Sequence, residues 1–453
     1  MRYTDRMSAR ELRASFGLAG IFGLRMLGMF IILPVFVLYA RELPGGGNHT
    51  LVGIALGAYG LAQACLQVVF GWLSDRWGRK RTIYVGLAVF AVGSAVAGLA
   101  HDIYLVIAGR AIQGAGAVSS VVIALAADLT AEENRTKAMA IIGVTIGATF
   151  ALSMVAGPAL SHAIGVPGIF FMTGALALVA LPVMRFVVPD PAPGLDSTRR
   201  GVPIRAVLHD PQLARLNLGI FTLHAILMAL WVVVPLLLER FLSGSAHWKI
   251  YLPVMLLGVA IMAPIMIVSE RTGAHKAAFV GAIAALALAC LALAFAGASL
   301  ARLFLCLTLF FAAFNLLEAS LPSLVSKLAP AQAKGTAIGV YSTTQFIGSF
   351  AGASAGGWLF QHVGGAAVFA ACTLAAFVWL IAASGMRLPR ALVTRRYPLP
   401  RLDSVRAEGL SRQLAGLPGV REVLLSAEGV AYLKVDSAGF DEHNVIKLLA
   451  NEN

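Results

Sequence analysis

Glu318 is the only acidic residue well inside any of the long apolar stretches of this 453-residue chain. A carboxyl at that depth can take up and release a proton where a permanent charge is expensive, which makes it a candidate proton carrier. Arg25, Arg110 and His224 also fall inside apolar stretches, with Gln63, Gln67, Gln113, Asn315 and Gln345 as polar companions. Ionisable residues so placed face a cavity or a partner rather than lipid. Glu318 therefore reads in two ways, as a proton carrier or as the structural partner of a buried arginine. Arg110 reads as a functional charge in preference to a structural pairing, and Arg25 as a structural or cavity charge. Because imidazole titrates near neutrality, His224 is either a second proton site or a satisfied polar side chain.

A different kind of signal lies between two apolar stretches, in Gly71-Trp72-Leu73-Ser74-Asp75-Arg76-Trp77-Gly78-Arg79-Lys80-Arg81. Gly71 and Gly78 permit close helix approach and a tight turn, and Asp75 stands at a helix end where cationic partners can hold it. A connection that needed only positive charge would require neither an acidic residue nor two glycines at these spacings.

The elements that carry these residues follow from composition. The chain is 59% hydrophobic and 13% charged, against about a quarter charged in soluble domains. Apolar stretches of about 20 residues, enough to cross a bilayer, recur up to residue 386. Lipid-exposed backbone must satisfy its own polar groups, so the stretches read as helices. Twelve spans result, among them 14–39, 103–127, 138–162 and 166–188. Lys and Arg concentrate in alternate connections, from Arg76–Arg81 through Arg135, Lys137, Arg199, Arg200, Arg271 and Lys276 to Lys327 and Lys334. This bias puts those connections and both termini in the cytoplasm. The first span is too long, and lacks the small-residue cleavage site, for a signal peptide.

The chain divides into a first six-helix bundle (1–188), a Pro- and Arg-rich cytoplasmic linker (189–212), a second bundle (213–386), a short linker (387–394) and a polar segment (395–453). Within the first linker, Ile204–His209 is either a short amphipathic helix or plain connection. Residues 75–86 align with 270–281, and Arg135–Gly157 with Lys334–Gly356, as a duplicated unit would. The polar segment shows strand patterning at Val423, Leu425, Val430 and Tyr432 around a turn, with helical segments near 405–416 and 440–450, hence a small α+β domain. Cys65, Cys290, Cys306 and Cys372 sit in spans at no metal-ligand spacing, so no metal site is expected. No phosphate-binding Gly-rich loop points to ATP, and no nucleophile–base constellation to an enzyme.

The 71–81 segment resembles the loop signature of the major facilitator superfamily. That resemblance implies that Asp75, Arg76, Arg79 and Lys80, with Gly71 and Gly78, form a conformational latch with Asp128. It further implies that Asp75 meets the start of the eleventh span near Gly335 and closes the cytoplasmic side. Arg110-Ala111-Ile112-Gln113-Gly114-Ala115-Gly116 is similar to a motif of proton-coupled facilitators, and Leu27-Gly28 with Pro34-Val35 to one of twelve-span drug:proton antiporters, departing from it at Val37. The span-5 antiporter motif persists as Gly157-Pro158, a helix bend, but with Ser153, Ser161 and His162 at other positions. Together with the C-terminal segment these residues resemble the YajR-type branch, which carries an appended ferredoxin-like domain.

The fold expected is thus an all-α membrane protein, twelve helices in two six-helix halves, plus a small C-terminal α+β ferredoxin-like domain. The function expected is proton-coupled efflux of a small molecule by alternating access across the bacterial inner membrane, driven by the proton gradient with no bound cofactor. Symport or facilitated import, and a membrane sensor acting through its C-terminal domain, are the rival readings. Partners are the small-molecule substrate and the lipid bilayer, with no nucleic acid; whether a protein binds the C-terminal domain is open.

Overall fold

The computed structural model describes residues 7–131, 134–190, 204–329, 333–386, 392–399, 404–426, 430–436 and 439–450. Before residue 191 the helices are α1 (Ala9–Phe30), α2 (Phe36–Ala40), α3 (His49–Trp77), α4 (Arg79–Gly98), α5 (Ile103–Ala115), α6 (Ser119–Asp128) and α7 (Arg135–Phe186). After it come α8 (Ile204–Leu208), α9 (Pro211–Leu238), α10 (Trp248–Thr272), α11 (His275–Leu293), α12 (Leu300–Leu328), α13 (Lys334–His362) and α14 (Gly365–Ser384). Their outer surface is apolar: Val68 and Leu374 are 65% exposed and Ile381 60%, an arrangement that suits lipid as solvent.

Among the described residues nine helices are long and apolar enough to cross a membrane, where twelve spans were expected. Helices α1 and α13 fall outside the nine because of their charges or hydroxyls. The stretch Lys137–Phe186 counts once, although Gly165 interrupts its helix with φ 70 and ψ 168. That residue lies between the two spans expected at 138–162 and 166–188.

At three places the helices differ in detail from the expected spans. The first span is not one helix to residue 39. It stops at Phe30 and resumes at Phe36, across Pro34, which has no N–H to donate. The span expected at 103–127 holds as one apolar stretch, Ile103–Asp128, but its helix is interrupted at Gly116 (φ −70, ψ 49), between α5 and α6. Finally, the dihedrals stay helical through Gly157 and Pro158, where the bend was expected, and the non-helical residue of α7 is Gly165, between the two expected spans. Gly157 has another use: a Cβ there would lie 2.6 Å from the Ile31 carbonyl oxygen and 2.9 Å from Pro34 Cγ. Its missing side chain lets α7 seat the broken segment of the first span.

Most of the 189–212 linker lies outside the described residues, but Ile204–Leu208 is helical. Of the 387–394 linker, Leu392 onward is strand, so the C-terminal unit starts earlier than residue 395. It consists of β1 (Leu392–Pro398), α15 (Ser404–Ala415), β2 (Val420–Ser426), β3 (Val430–Asp436) and α16 (Glu442–Ala450). The antiparallel sheet has the order β1-β3-β2. Alternate residues Ala431, Leu433 and Val435 turn one face of β3 onto Leu410, Leu414, Val445 and Leu449, the period-2 pattern of a half-buried strand. The turn expected at 427–429 lies outside the described residues.

Candidate functional site

The 71–81 motif folds as the end of α3, a turn at Gly78 and the start of α4. Gly78 has φ 93, a left-handed value that residues with a Cβ rarely adopt. The turn brings Arg79 back onto α3, where its Nη1 lies 2.5 Å from Asp75 Oδ1 and 2.6 Å from Ser74 Oγ. Its Nε donates to Asp128 Oδ2 of α6 at 3.1 Å. Asp75, Arg79 and Asp128 are thus one charge network. Arg76 is apart from it, over the Trp72 ring at 4.2 Å. Lys80 reaches the end of α7, donating to the Val188 carbonyl at 2.6 Å and pairing with Asp190 Oδ1 at 2.7 Å. That hydrogen bond and the charge behind it hold the Asp190 carboxyl below the usual carboxylate range.

Sequence reasoning overlooked Glu11 in the same region. It accepts from the Ala131 backbone N–H at 2.8 Å and from Asn134 Nδ2 at 3.2 Å, tying the start of α1 to the connection before α7. Its signal was local: Ser8 and Glu11 form a capping box, readable from their spacing.

Two polar clusters lie deeper. In the first, Arg25 and Arg110 are 2% and 1% exposed, with their guanidinium carbons 5.8 Å and 5.0 Å from the centre of the Tyr59 ring. Arg25 donates to Gln63 Oε1 and Ser119 Oγ. Arg110 donates to Gln113 Oε1 at 2.9 Å, and Gln113 passes the chain to Ser94 at 2.8 Å. Tyr59 was overlooked, although Tyr59, Gln63 and Gln67 recur every four residues and so share one helix face. Neither arginine has a carboxylate partner among the described residues.

The second cluster joins α9, α12 and α13. Glu318 Oε2 lies 3.8 Å from His224 Nε2, too far for a hydrogen bond but well within electrostatic reach. The same His224 nitrogen is 2.7 Å from Gln345 Nε2, and the imidazole stands 6.1 Å from the Phe314 ring. About a third of the Glu318 side chain is exposed, although the residue lies in the middle of α12. The reading of Glu318 as an arginine's partner is not met: among the described residues no arginine pairs with it. Asn315 is half-buried one turn away on α12 and near Gly258 rather than in the cluster.

Helices α3 and α13 meet closely at one end, and at the other their glycines face open space. A Cβ on Gly53 would overlap the Ala353 carbonyl and lie 3.2 Å from Gly357 Cα, and one on Gly57 would lie 3.0 Å from Phe350 Cα. At this end the His49 N–H donates to Gln361 Oε1 at 2.8 Å, and Arg41 pairs with Glu239 at 2.6 Å. At the other end no atom comes within 4 Å of a Cβ on Gly71, Gly335 or Gly339. Gly71 therefore makes no close helix approach here. Asp75 has its ion pair with Arg79 and none with α13 among the described residues. The contact expected between Asp75 and the start of α13 near Gly335 is not seen among the described residues.

With this geometry established, likeness to known proteins becomes informative. The Major Facilitator Superfamily profile matches residues 18–353 and 254–427. The inner membrane transport protein YajR of Escherichia coli strain K12 is 43% identical over 437 residues, covering 95% of this chain and 96% of its own. An uncharacterised transporter of Buchnera aphidicola, BU466, is 32% identical over 76% of this chain and 90% of its own. Among solved structures, the human organic anion transporter MFSD10 superposes with a TM-score of 0.63 at 20% identity, over 83% of this chain and all of that one; this likeness speaks for the fold alone.

Proposed function

The chain belongs to the Major Facilitator Superfamily and is a membrane transporter, not an enzyme, and from that premise we propose that it exports a small molecule from the cytoplasm in exchange for protons. The observation that carries the reading is the Glu318–His224 contact. It is an ionisable pair inside the membrane-spanning region, with about a third of the Glu318 side chain exposed and no arginine paired to it among the described residues. The energy source is the proton gradient, with no bound cofactor.

The architecture proposed is twelve spans in two six-helix halves, 1–188 and 213–386, in a bacterial inner membrane. Adding α1 and α13 to the nine apolar helices, and dividing α7 at Gly165, gives that number (9 + 2 + 1). The C-terminal unit is proposed to be a cytoplasmic ferredoxin-like domain; its βαββα order and antiparallel sheet support this. A reporter fused after Asn453 should be active on the cytoplasmic side only, and periplasmic activity would overturn the topology.

Alternating access needs two closures. The α3–α13 contact at Gly53 and Gly57 is the periplasmic one, and the 71–81 network is proposed to help make the cytoplasmic one when Asp75 meets the start of α13. Asp75→Asn should then favour the arrangement seen here. Helix-end charge interactions are worth about 0.3–2 kcal/mol, so transport should fall severalfold with membrane insertion intact. Unchanged transport, and unchanged labelling of single cysteines on the cytoplasmic side, would rule out the latch.

The coupling itself is tested in inverted membrane vesicles given an imposed pH gradient and a panel of labelled small molecules. An acidic lumen should drive accumulation, and a protonophore should abolish it. Accumulation driven by an alkaline lumen would instead support symport, a reading to which Ser153, Ser161 and His162 in the span-5 motif lend some weight.

A further inference from the structure

We propose that the cleft between the start of α1 and the end of α7 binds the phosphate headgroup of an anionic phospholipid. The cleft has a volume of about 560 Å³ and is lined by Arg10, Arg13 and Arg185 together with Phe186 and Asp190. Its only carboxylate among the described residues, Asp190, is already neutralised by Lys80 at 2.7 Å. Three guanidinium groups therefore line a space whose one described carboxylate is shared between Lys80 and the charge of Arg185, leaving the cleft net positive.

Two of the three are held in place. Arg13 donates to the Phe186 carbonyl, and Arg10 donates to the Asp190 carbonyl at 2.9 Å. Each bond uses one N–H of five and leaves the rest of the fork for a ligand. Arg185 makes no hydrogen bond or ion pair among the described residues. Planar guanidinium forks match the oxygens of a phosphate, and basic pockets at the ends of membrane helices recruit acidic headgroups.

The neighbouring surface decides between a lipid and a soluble phosphate. Phe186 is 71% exposed at the last turn of α7, and Phe16 is 62% exposed two turns into α1. Both offer exposed apolar surface, Phe186 in the lining of the cleft itself, which acyl chains would cover and a soluble anion would not use. A seated headgroup would also brace the joint through which Lys80 of the 71–81 motif grips Val188 and Asp190.

The test is retention of lipid by purified, delipidated protein in detergent, read by native mass spectrometry after addition of phosphatidylglycerol or phosphatidylcholine. Such a measurement depends neither on transport nor on which leaflet holds the site. Wild-type protein should retain phosphatidylglycerol preferentially. Arg185→Gln, which removes no bond seen in the structure, should lower retention about fivefold, the worth of one basic residue near an anionic surface. Replacing Arg10, Arg13 and Arg185 together by Gln should lower it on the order of a hundredfold, and replacing all three by Lys, which keeps the charge but not the fork, should restore only part of it. Equal retention of the two lipids by wild type, or undiminished retention of phosphatidylglycerol by the Gln variants, would overturn the proposal. Displacement of the lipid by glycerol 3-phosphate at matched concentration would overturn it too, since the ligand would then be a soluble phosphate compound.

Discussion

Gly53→Leu should reduce net transport more than tenfold while the protein still inserts and folds. The reason is geometric. Where α3 meets α13, the Cα of Gly53 faces the backbone of Ala353 and Gly357, and backbone cannot swing aside as a flexible side chain can. Forcing carbon into a packed contact costs typically about 1–3 kcal/mol, borne only by the arrangement in which this end is closed. The arrangement open at this end is spared, so the balance shifts roughly 5–150-fold towards it. A transporter held on one side exchanges slowly or not at all. Labelling of single cysteines introduced near His49 and Gln361 should rise in parallel. A matched comparison is Arg41→Ala, which removes the nearby ion pair with Glu239. Both partners are more than 40% exposed, and exposed pairs are worth about 0–1 kcal/mol, so its effect should be no more than a fewfold change. Equal effects from the two variants, or wild-type flux in Gly53→Leu, would mean that the α3–α13 contact does not set the state.

How much of this was legible in the residues depends on the kind of signal. Apolar length marks a span well, but it is blind to interruptions that are themselves apolar. Ile31–Val35 and Gly116–Val118 break helices without changing hydropathy, so both spans read as continuous. Pro34 was the available warning. The 71–81 motif could be placed at a helix–turn–helix junction from Gly78 and the charge spacing, and Arg79 does join Asp75 to Asp128. Whether Gly71 and Gly335 face anything depends on which side of the protein is open, and one sequence serves both arrangements. β1 was hidden for a different reason. Two arginines and a terminal proline mask its alternation, and as an edge strand bonded only to β3 it tolerates charge and Pro that a central strand would not. Glu318 and His224 were both visible as intramembrane ionisable residues, but 94 positions separate them (318 − 224). Only the packing of α9 against α12 brings them within 3.8 Å.

Glu318→Gln should abolish the pH dependence of transport while leaving part of the substrate exchange. The substitution keeps the shape of the side chain and removes its second charge state. A charged residue at mid-span costs about 2.5–3.5 kcal/mol on insertion scales and a neutral amide or carboxyl considerably less. Two protonation states differing by that much in one arrangement, but not in the other, would shift the balance between arrangements on the order of a hundredfold. That is the size of effect a coupled transporter needs from one proton. The surroundings in this structure fit such a switch, because among the described residues no arginine pins the carboxylate permanently in its charged form. The facing groups are His224 at 3.8 Å, Gln345 through His224, and the buried Tyr341 phenol of α13, which lies within electrostatic reach of the carboxylate. With Gln at position 318 the site behaves as though always loaded, so proton-driven accumulation stops, whereas exchange of substrate for substrate, which needs no proton release, continues in part. His224→Gln provides the complementary measurement. It should leave proton coupling present with an altered pH profile, since it removes a neighbour and not the carrier. A fully pH-responsive Glu318→Gln transporter would refute the assignment, and loss of coupling in His224→Gln would then move the proton to the imidazole, leaving the carboxylate as the group that tunes it.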